Sequence, residues 1–282
     1  MTNPPPRRLG ILARPDCTIA YEITGQGPAI IFAHGLGGNH MSWYQQVAHF
    51  APNYTCVTFA HRGFYPSSLP PDGPDPAKYA DDLAALIAHL GFTEYDLVAQ
   101  SMGGWTSVEH ALTQPAGLRA MVLAATTGSV DPKQIRPDFL PRLSAWETAS
   151  NAAIADYMQA GIHPAGGRRM ATEQPAVHLL YKHIDDQNAG LDKNALRMKL
   201  MAGRVRPPAD LAALSCPILF IANEEDMVIP PVALEAVAAM VPGAQFAQIP
   251  QAGHSGYFER PSVFNALVEG FLDKINTNRR KF

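Results

Sequence analysis

Six short apolar runs dictate the architecture of this chain: AIIFA (29–33), TCVTFA (55–60), YDLVAQ (95–100), AMVLAA (120–125), PILFIA (217–222) and QFAQI (245–249). Each has the length of a strand and is largely apolar, the pattern of strands covered on both faces. CTIAYEI (17–23) adds a strand ahead of them, and GQGP supplies the turn into AIIFA. Helical patterns lie between the runs, most clearly after TCVTFA. There Asp75 can cap a helix, Pro76 suits its first turn and Gly91 can end it. Tyr79, Leu83, Leu86, Ile87 and Leu90 recur along one helical face. Strands alternating with such helices predict an α/β fold with a mostly parallel, doubly covered sheet.

The rhythm stops at about Asp131 and resumes near Pro207. The intervening stretch has irregular helical patterning, scattered Met, His and Tyr residues, and a soft spot at PAGG (164–167). A segment of that length inside a compact domain is expected to be a lid or functional insertion. A final helix opens at Pro261, with Val263, Phe264, Leu267, Val268, Phe271 and Leu272 expected on its inner face. The expected organisation is core (1–130), insertion (131–206) and core again (207–282).

Composition excludes several classes of function. Apolar residues at 47% and charged residues at 17% are globular values, not those of a disordered chain. The net charge of −3 comes without a basic stripe, so neither nucleic acid nor an anionic membrane surface is an expected partner. No apolar run approaches the roughly 20 residues of a membrane helix. MTNPPPRRLG lacks the apolar stretch of a secretory signal. Cys17, Cys56 and Cys216 are odd in number and far apart, which reads as buried thiols in a reducing compartment, the cytoplasm. No metal-ligand spacing or cofactor motif is present, so neither group is expected.

Four strings carry chemistry. In LVAQSMGGW (97–105) a buried strand ends, Ser101 follows, and a helix begins. Small residues two before and two after the serine suit a strained turn that lifts its oxygen above the sheet edge. Ala99 stands at the first of those positions, where glycine is usual. AHGLGGNH (33–40) is a glycine-rich turn at a strand end, able to aim backbone N–H groups at an anionic oxygen. ANEEDMVIP (222–230) and QAGHSGYF (251–258) place a carboxylate and an imidazole beyond two later strands. Ser, then acid, then His is one of the chain orders that nucleophilic triads adopt.

These strings, with EITGQGPAIIFAHGLGGNHMSW, HRGFYPSS and AGHSGYFERP, resemble the α/β-hydrolase superfamily over nearly the whole chain. The resemblance implies Ser101 as nucleophile, Asp226 as triad acid and His254 as base. It implies the backbone N–H groups of Leu36 and Met102 as the oxyanion hole, and 131–206 as a helical cap. Glu224 and Glu225 are rival acids. Asn223 replaces the usual Gly, a change attributed to Asn's tolerance of left-handed backbone. Ala60 and Tyr65 replace the Asp and Gly of a D-x-R-G-x-G segment and are expected to alter the floor of the site.

The resulting expectation is a cofactor-independent serine hydrolase acting on a small, partly apolar ester or lactone, similar to enol-lactonases and esterases. Alternatives are a C–C bond hydrolase of vinylogous diketones, a cofactor-free perhydrolase or oxygenase, and a non-catalytic receptor of the same fold. Dehalogenases and epoxide hydrolases of this fold use Asp at the elbow, where this chain has Ser101. Trp43, Trp105, Trp146, Tyr157, His178, Tyr181 and Met227 are candidates for substrate contact, with Met158 and His163 in the same segment. His40 and His61 are placed near the mouth, as surface histidines by default; Arg62, Arg168 and Arg169 are weaker candidates for meeting a carboxylate. Expected partners are the substrate and, at most, further copies of the same chain.

Overall fold

The computed structural model describes residues 4–279; the first three residues of the N-terminal stretch read above lie outside it. Eight strands form one sheet: β1 (Arg7–Ala13), β2 (Thr18–Thr24), β3 (Ala29–Ala33), β4 (Thr55–Phe59), β5 (Tyr95–Gln100), β6 (Leu118–Ala124), β7 (Ile218–Asn223) and β8 (Gln245–Ile249). Their order is β1-β2-β4-β3-β5-β6-β7-β8. The β1–β2 and β2–β4 pairs are antiparallel, and all later pairs are parallel. The apolar runs are these strands, with ends shifted by no more than two residues. β1 has no counterpart among them: its exposed RRLGILA sequence is held by pairing along its whole length with β2.

The helices are α1 (Tyr44–Phe50), α2 (Tyr79–Leu90), α3 (Met102–Leu112), α4 (Leu140–Gln159), α5 (Gly167–Glu173), α6 (Pro175–Asp186), α7 (Lys193–Ala202), α8 (Pro208–Ala212), α9 (Pro231–Met240), α10 (Gly256–Glu259) and α11 (Pro261–Arg279). Alternation along each strand sorts the core into two layers. Ile31, Val57, Leu97, Leu123 and Phe220 face Leu83 and Leu86 of α2, Val108 of α3 and Val237 of α9. Ile30, Phe32, Val98, Val122 and Ile221 face Phe50 of α1 and Phe264, Val268, Phe271 and Leu272 of α11. Val263, expected on that inner face, is 41% exposed instead.

The α2 signals act as read. Asp75 accepts from the Ala77 N–H at the head of a 3₁₀ turn leading into the helix, and Gly91 closes it at φ 72°. Between β6 and β7 the chain makes a helical excursion, α4 to α7, whose base is closed by a bridge between Val130 and Arg206. The three cysteines are unpaired; Cys17 and Cys56 are buried, while Cys216 is only half-buried. Among the described residues no helix is long and apolar enough to cross a membrane.

Candidate active site

The sheet order reverses at β3. The connection from β3 runs through α1 to β4, and that from β5 runs through α3 to β6, on opposite faces. Two loops leaving adjacent strand ends in opposite directions open a crevice, the usual place for a ligand in such sheets. A cavity of about 300 Å³ occupies it, lined by Leu36 and Gly37 after β3, Ser101 and Met102 after β5, and His254 after β8.

Ser101 sits at φ 51°, ψ −117°, in the strained left-handed region that its turn imposes. The two glycines after it are required by packing. A Cβ on Gly103 would lie 2.0 Å from the Ala33 carbonyl oxygen, and one on Gly104 would lie 2.2 Å from Thr126 Cγ2. The helix therefore rests directly on β3 and on the end of β6, which holds the serine over the cavity. Met102 is the first residue of α3, so its N–H has no intrahelical acceptor. Leu36, in the turn after β3, lines the same cavity.

Of the three contiguous acids, burial separates one. Asp226 is 1% exposed; its Oδ1 accepts from the N–H groups of Val228 (2.7 Å) and Ile229 (2.9 Å). Its Oδ2 meets His254 Nδ1 at 2.9 Å. That bond puts the proton on Nδ1 and leaves Nε2 as the acceptor. Glu225 is instead engaged by the Arg169 guanidinium, and Glu224 accepts from the Gln251 N–H at the surface. Arg168 pairs with Asp156 and Arg62 with Asp82, so none of these three arginines serves the cavity.

Buried polar groups fix the loops. The His254 carbonyl accepts from Asn223 Nδ2 (3.0 Å) and Gln100 Nε2 (3.2 Å). Asn223 is a strand residue without positive φ, so its presence is explained by this hydrogen bond and not by left-handed backbone. Below the cavity, His34 Nδ1 donates to the Gly35 carbonyl at 2.8 Å. His34 Nε2 accepts from His61, whose own Nε2 meets Thr106 Oγ1 at 2.8 Å. His61 is thus not a surface residue at the mouth but a buried link beneath the glycine turn. Burial pulls His34 down to about 3 and His61 well below its ordinary value, so both rings are neutral. Ala60 packs under Met102 and Trp105, whereas Tyr65 is exposed; neither lines the cavity.

Trp105 and Tyr181 line the cavity as expected, and His163 joins them. Six candidates do not. Trp43 is fully buried against Tyr257 and Phe32 in the core beneath α11. Trp146 donates its indole N–H to the Asp226 carbonyl at 2.7 Å, and so braces the acid loop from α4. Tyr157 lies under Arg168, His178 accepts from the His163 N–H, and Met227 gives its carbonyl to Ser150 Oγ. Met158 is 69% exposed. PAGG is a contact, not a soft spot: the Ser255 N–H donates to the Ala165 carbonyl at 3.0 Å, stitching the excursion to the loop of His254. Val228 and Ile229 beside the acid also line the cavity, as does Arg204, whose position at a helix end looks solvated in sequence. Among the described residues no three His, Cys, Asp or Glu side chains gather as a metal site would need.

Residues 28–261 match the family model described as alpha/beta hydrolase fold. A Mycobacterium tuberculosis protein carrying the name non-heme bromoperoxidase BpoC is 28% identical over 275 residues, covering 91% of this chain and 98% of that protein. The 3-oxoadipate enol-lactonase 2 of Acinetobacter baylyi is 25% identical over 270 residues, covering 94% of this chain and 97% of that enzyme. A thermophilic esterase from Thermogutta terrifontis superimposes with a TM-score of 0.75 at 24% identity, over 95% of this chain and 99% of the esterase. With a family match spanning all but the outermost elements, the chain belongs to the alpha/beta hydrolase fold family.

Proposed function

We propose that this protein is a cofactor-independent serine hydrolase that cleaves a small, partly apolar carboxylic ester or lactone through an acyl-enzyme on Ser101. The observation that carries the reading is a strained serine and a carboxylate-held imidazole lining one cavity. His254 Nε2 takes the hydroxyl proton as Ser101 Oγ attacks the carbonyl carbon. The N–H groups of Leu36 and Met102 receive the developing oxyanion, and Asp226 stabilises the imidazolium. Collapse expels the alcohol, protonated by His254. Water then repeats the sequence and frees the acid. Residues 131–206 act as the cap over this site, and the unpaired thiols suit a reducing compartment such as the cytoplasm.

The test is turnover of p-nitrophenyl acetate by wild type and by Ser101→Ala. Loss of an activated nucleophile lowers kcat by about 10⁴–10⁶-fold. Equal rates exclude Ser101 as nucleophile, and a fluorophosphonate adduct mapped to another residue does the same.

A further inference from the structure

Arg204 is a cavity residue with no role in the triad chemistry. Arg204 follows α7 and lines the cavity, and its Nε is shielded from solvent with no hydrogen-bond acceptor. The buried arginines Arg62 and Arg119 are paired, with Asp82 and Asp96, and the more exposed Arg206, two residues on, is paired with Glu109. No acidic side chain among the described residues faces Arg204, and burial lowers its pKa with nothing to offset it. The carboxylate that lines the cavity, Asp185, is already held by Lys193 at 2.6 Å and His163 at 3.3 Å. Arg197 also lines the cavity, but it is exposed and bonded to Asn194.

The backbone holds Arg204 in place. A Cβ on Gly203 would lie 2.3 Å from the Trp105 ring, so only glycine lets the end of α7 rest on an indole four residues after Ser101. On the other side, the Arg206 N–H donates to the Ser129 carbonyl at 3.2 Å. A cationic group fixed in a largely apolar cavity without a counter-charge is a site built for an anion. A guanidinium fork matches the two oxygens of a carboxylate.

We propose that Arg204 binds a carboxylate of the substrate, distant from the bond that is cleaved, so that the substrate class is hemiesters of dicarboxylic acids or lactones bearing a free carboxylate. The proposal rests on the reading of Ser101 as nucleophile, and its test separates the two. kcat/KM is measured for p-nitrophenyl butyrate and for mono-p-nitrophenyl glutarate, in wild type, Arg204→Gln and Arg204→Lys. Wild type favours the hemiester, and in Arg204→Gln the loss on the hemiester exceeds the loss on the neutral ester by about 100-fold. Arg204→Lys recovers part of it, because the charge survives and the fork does not. Equal losses on both substrates, or no preference in wild type, overturn the proposal. Glutarate binding to Ser101→Ala by calorimetry needs no turnover. Its Kd rises at least about 10-fold when Arg204→Gln is added, and an unchanged Kd overturns the anion site. If glutarate binding depends on Arg204 while ester turnover is independent of Ser101, the anion site stands and the hydrolase reading falls.

Discussion

Asp226→Asn swaps one atom and keeps the shape, yet the hydrogen bonds around Asp226 decide which way the new amide must face. Oδ1 receives two backbone N–H groups, from Val228 and Ile229, and only an oxygen can accept both. The amide NH₂ is therefore driven to the Oδ2 position, facing His254 Nδ1. Both groups there cannot be donors, so the imidazole proton moves to Nε2, the atom that must accept from Ser101. A triad locked in that tautomer loses about 10⁴-fold in kcat, equivalent to about 5 kcal/mol of transition-state stabilisation. The fold is retained, since the two N–H groups keep an acceptor. The assay is kcat on p-nitrophenyl butyrate, paired with urea unfolding and imidazole ¹⁵N shifts. A correctly folded Asp226→Asn protein within about ten-fold of wild type, or one that retains the Nδ1–H tautomer, would refute the assignment of Asp226 and His254.

Three further outcomes are expected. Gly103→Ala sets a methyl against the Ala33 carbonyl, a backbone atom that cannot swing aside, and lowers stability by about 3 kcal/mol in urea unfolding; a loss below about 1 kcal/mol contradicts the packing described. His34 is held neutral, with its folded pKa near 3 against an unfolded 6.5, so the unfolded chain binds the extra proton between those values. Stability therefore falls as pH drops through that window, by about 2 kcal/mol from pH 7 to pH 5 for this residue, and His34→Gln shows a shallower decline. Asn223→Ala removes one of two donors to the His254 carbonyl and costs about 1–2 kcal/mol, with a smaller fall in kcat than Asp226→Asn; an unchanged midpoint shows that the Gln100 donor suffices.

The sheet was legible because each inner strand carries a short run dominated by apolar residues, and the ends of β3, β5 and β8 coincide with the runs seen in the chain. β1 was not, because its residues are mostly exposed and its stability comes from the β2 partner rather than from its own pattern. Ser101 and His254, the proposed nucleophile and base, stand in small-residue turns that are visible in the sequence. The acid could not be chosen from residues alone, since Glu224, Glu225 and Asp226 differ by burial and partners. The tryptophans show the same limit. Trp43 and Trp105 both follow functional loops, and only packing sends one into the core and the other to the cavity. Arg204 was invisible because being unpaired is a property of surroundings, not of sequence.

The excursion is fastened to the loops that carry the proposed base, the proposed acid and the glycine turn. Ala165 holds the loop of His254, Trp146 and Ser150 hold 226–227, and Asn188 Nδ2 donates to the Gly38 carbonyl in the glycine turn. Anyone transplanting residues 131–206 between scaffolds of this kind inherits an alignment jig along with the part of the cavity wall those residues supply. A chimera that keeps the graft but mismatches those fastenings will lose turnover before it loses affinity, and recombination breakpoints should be drawn so that each fastening travels with both of its ends.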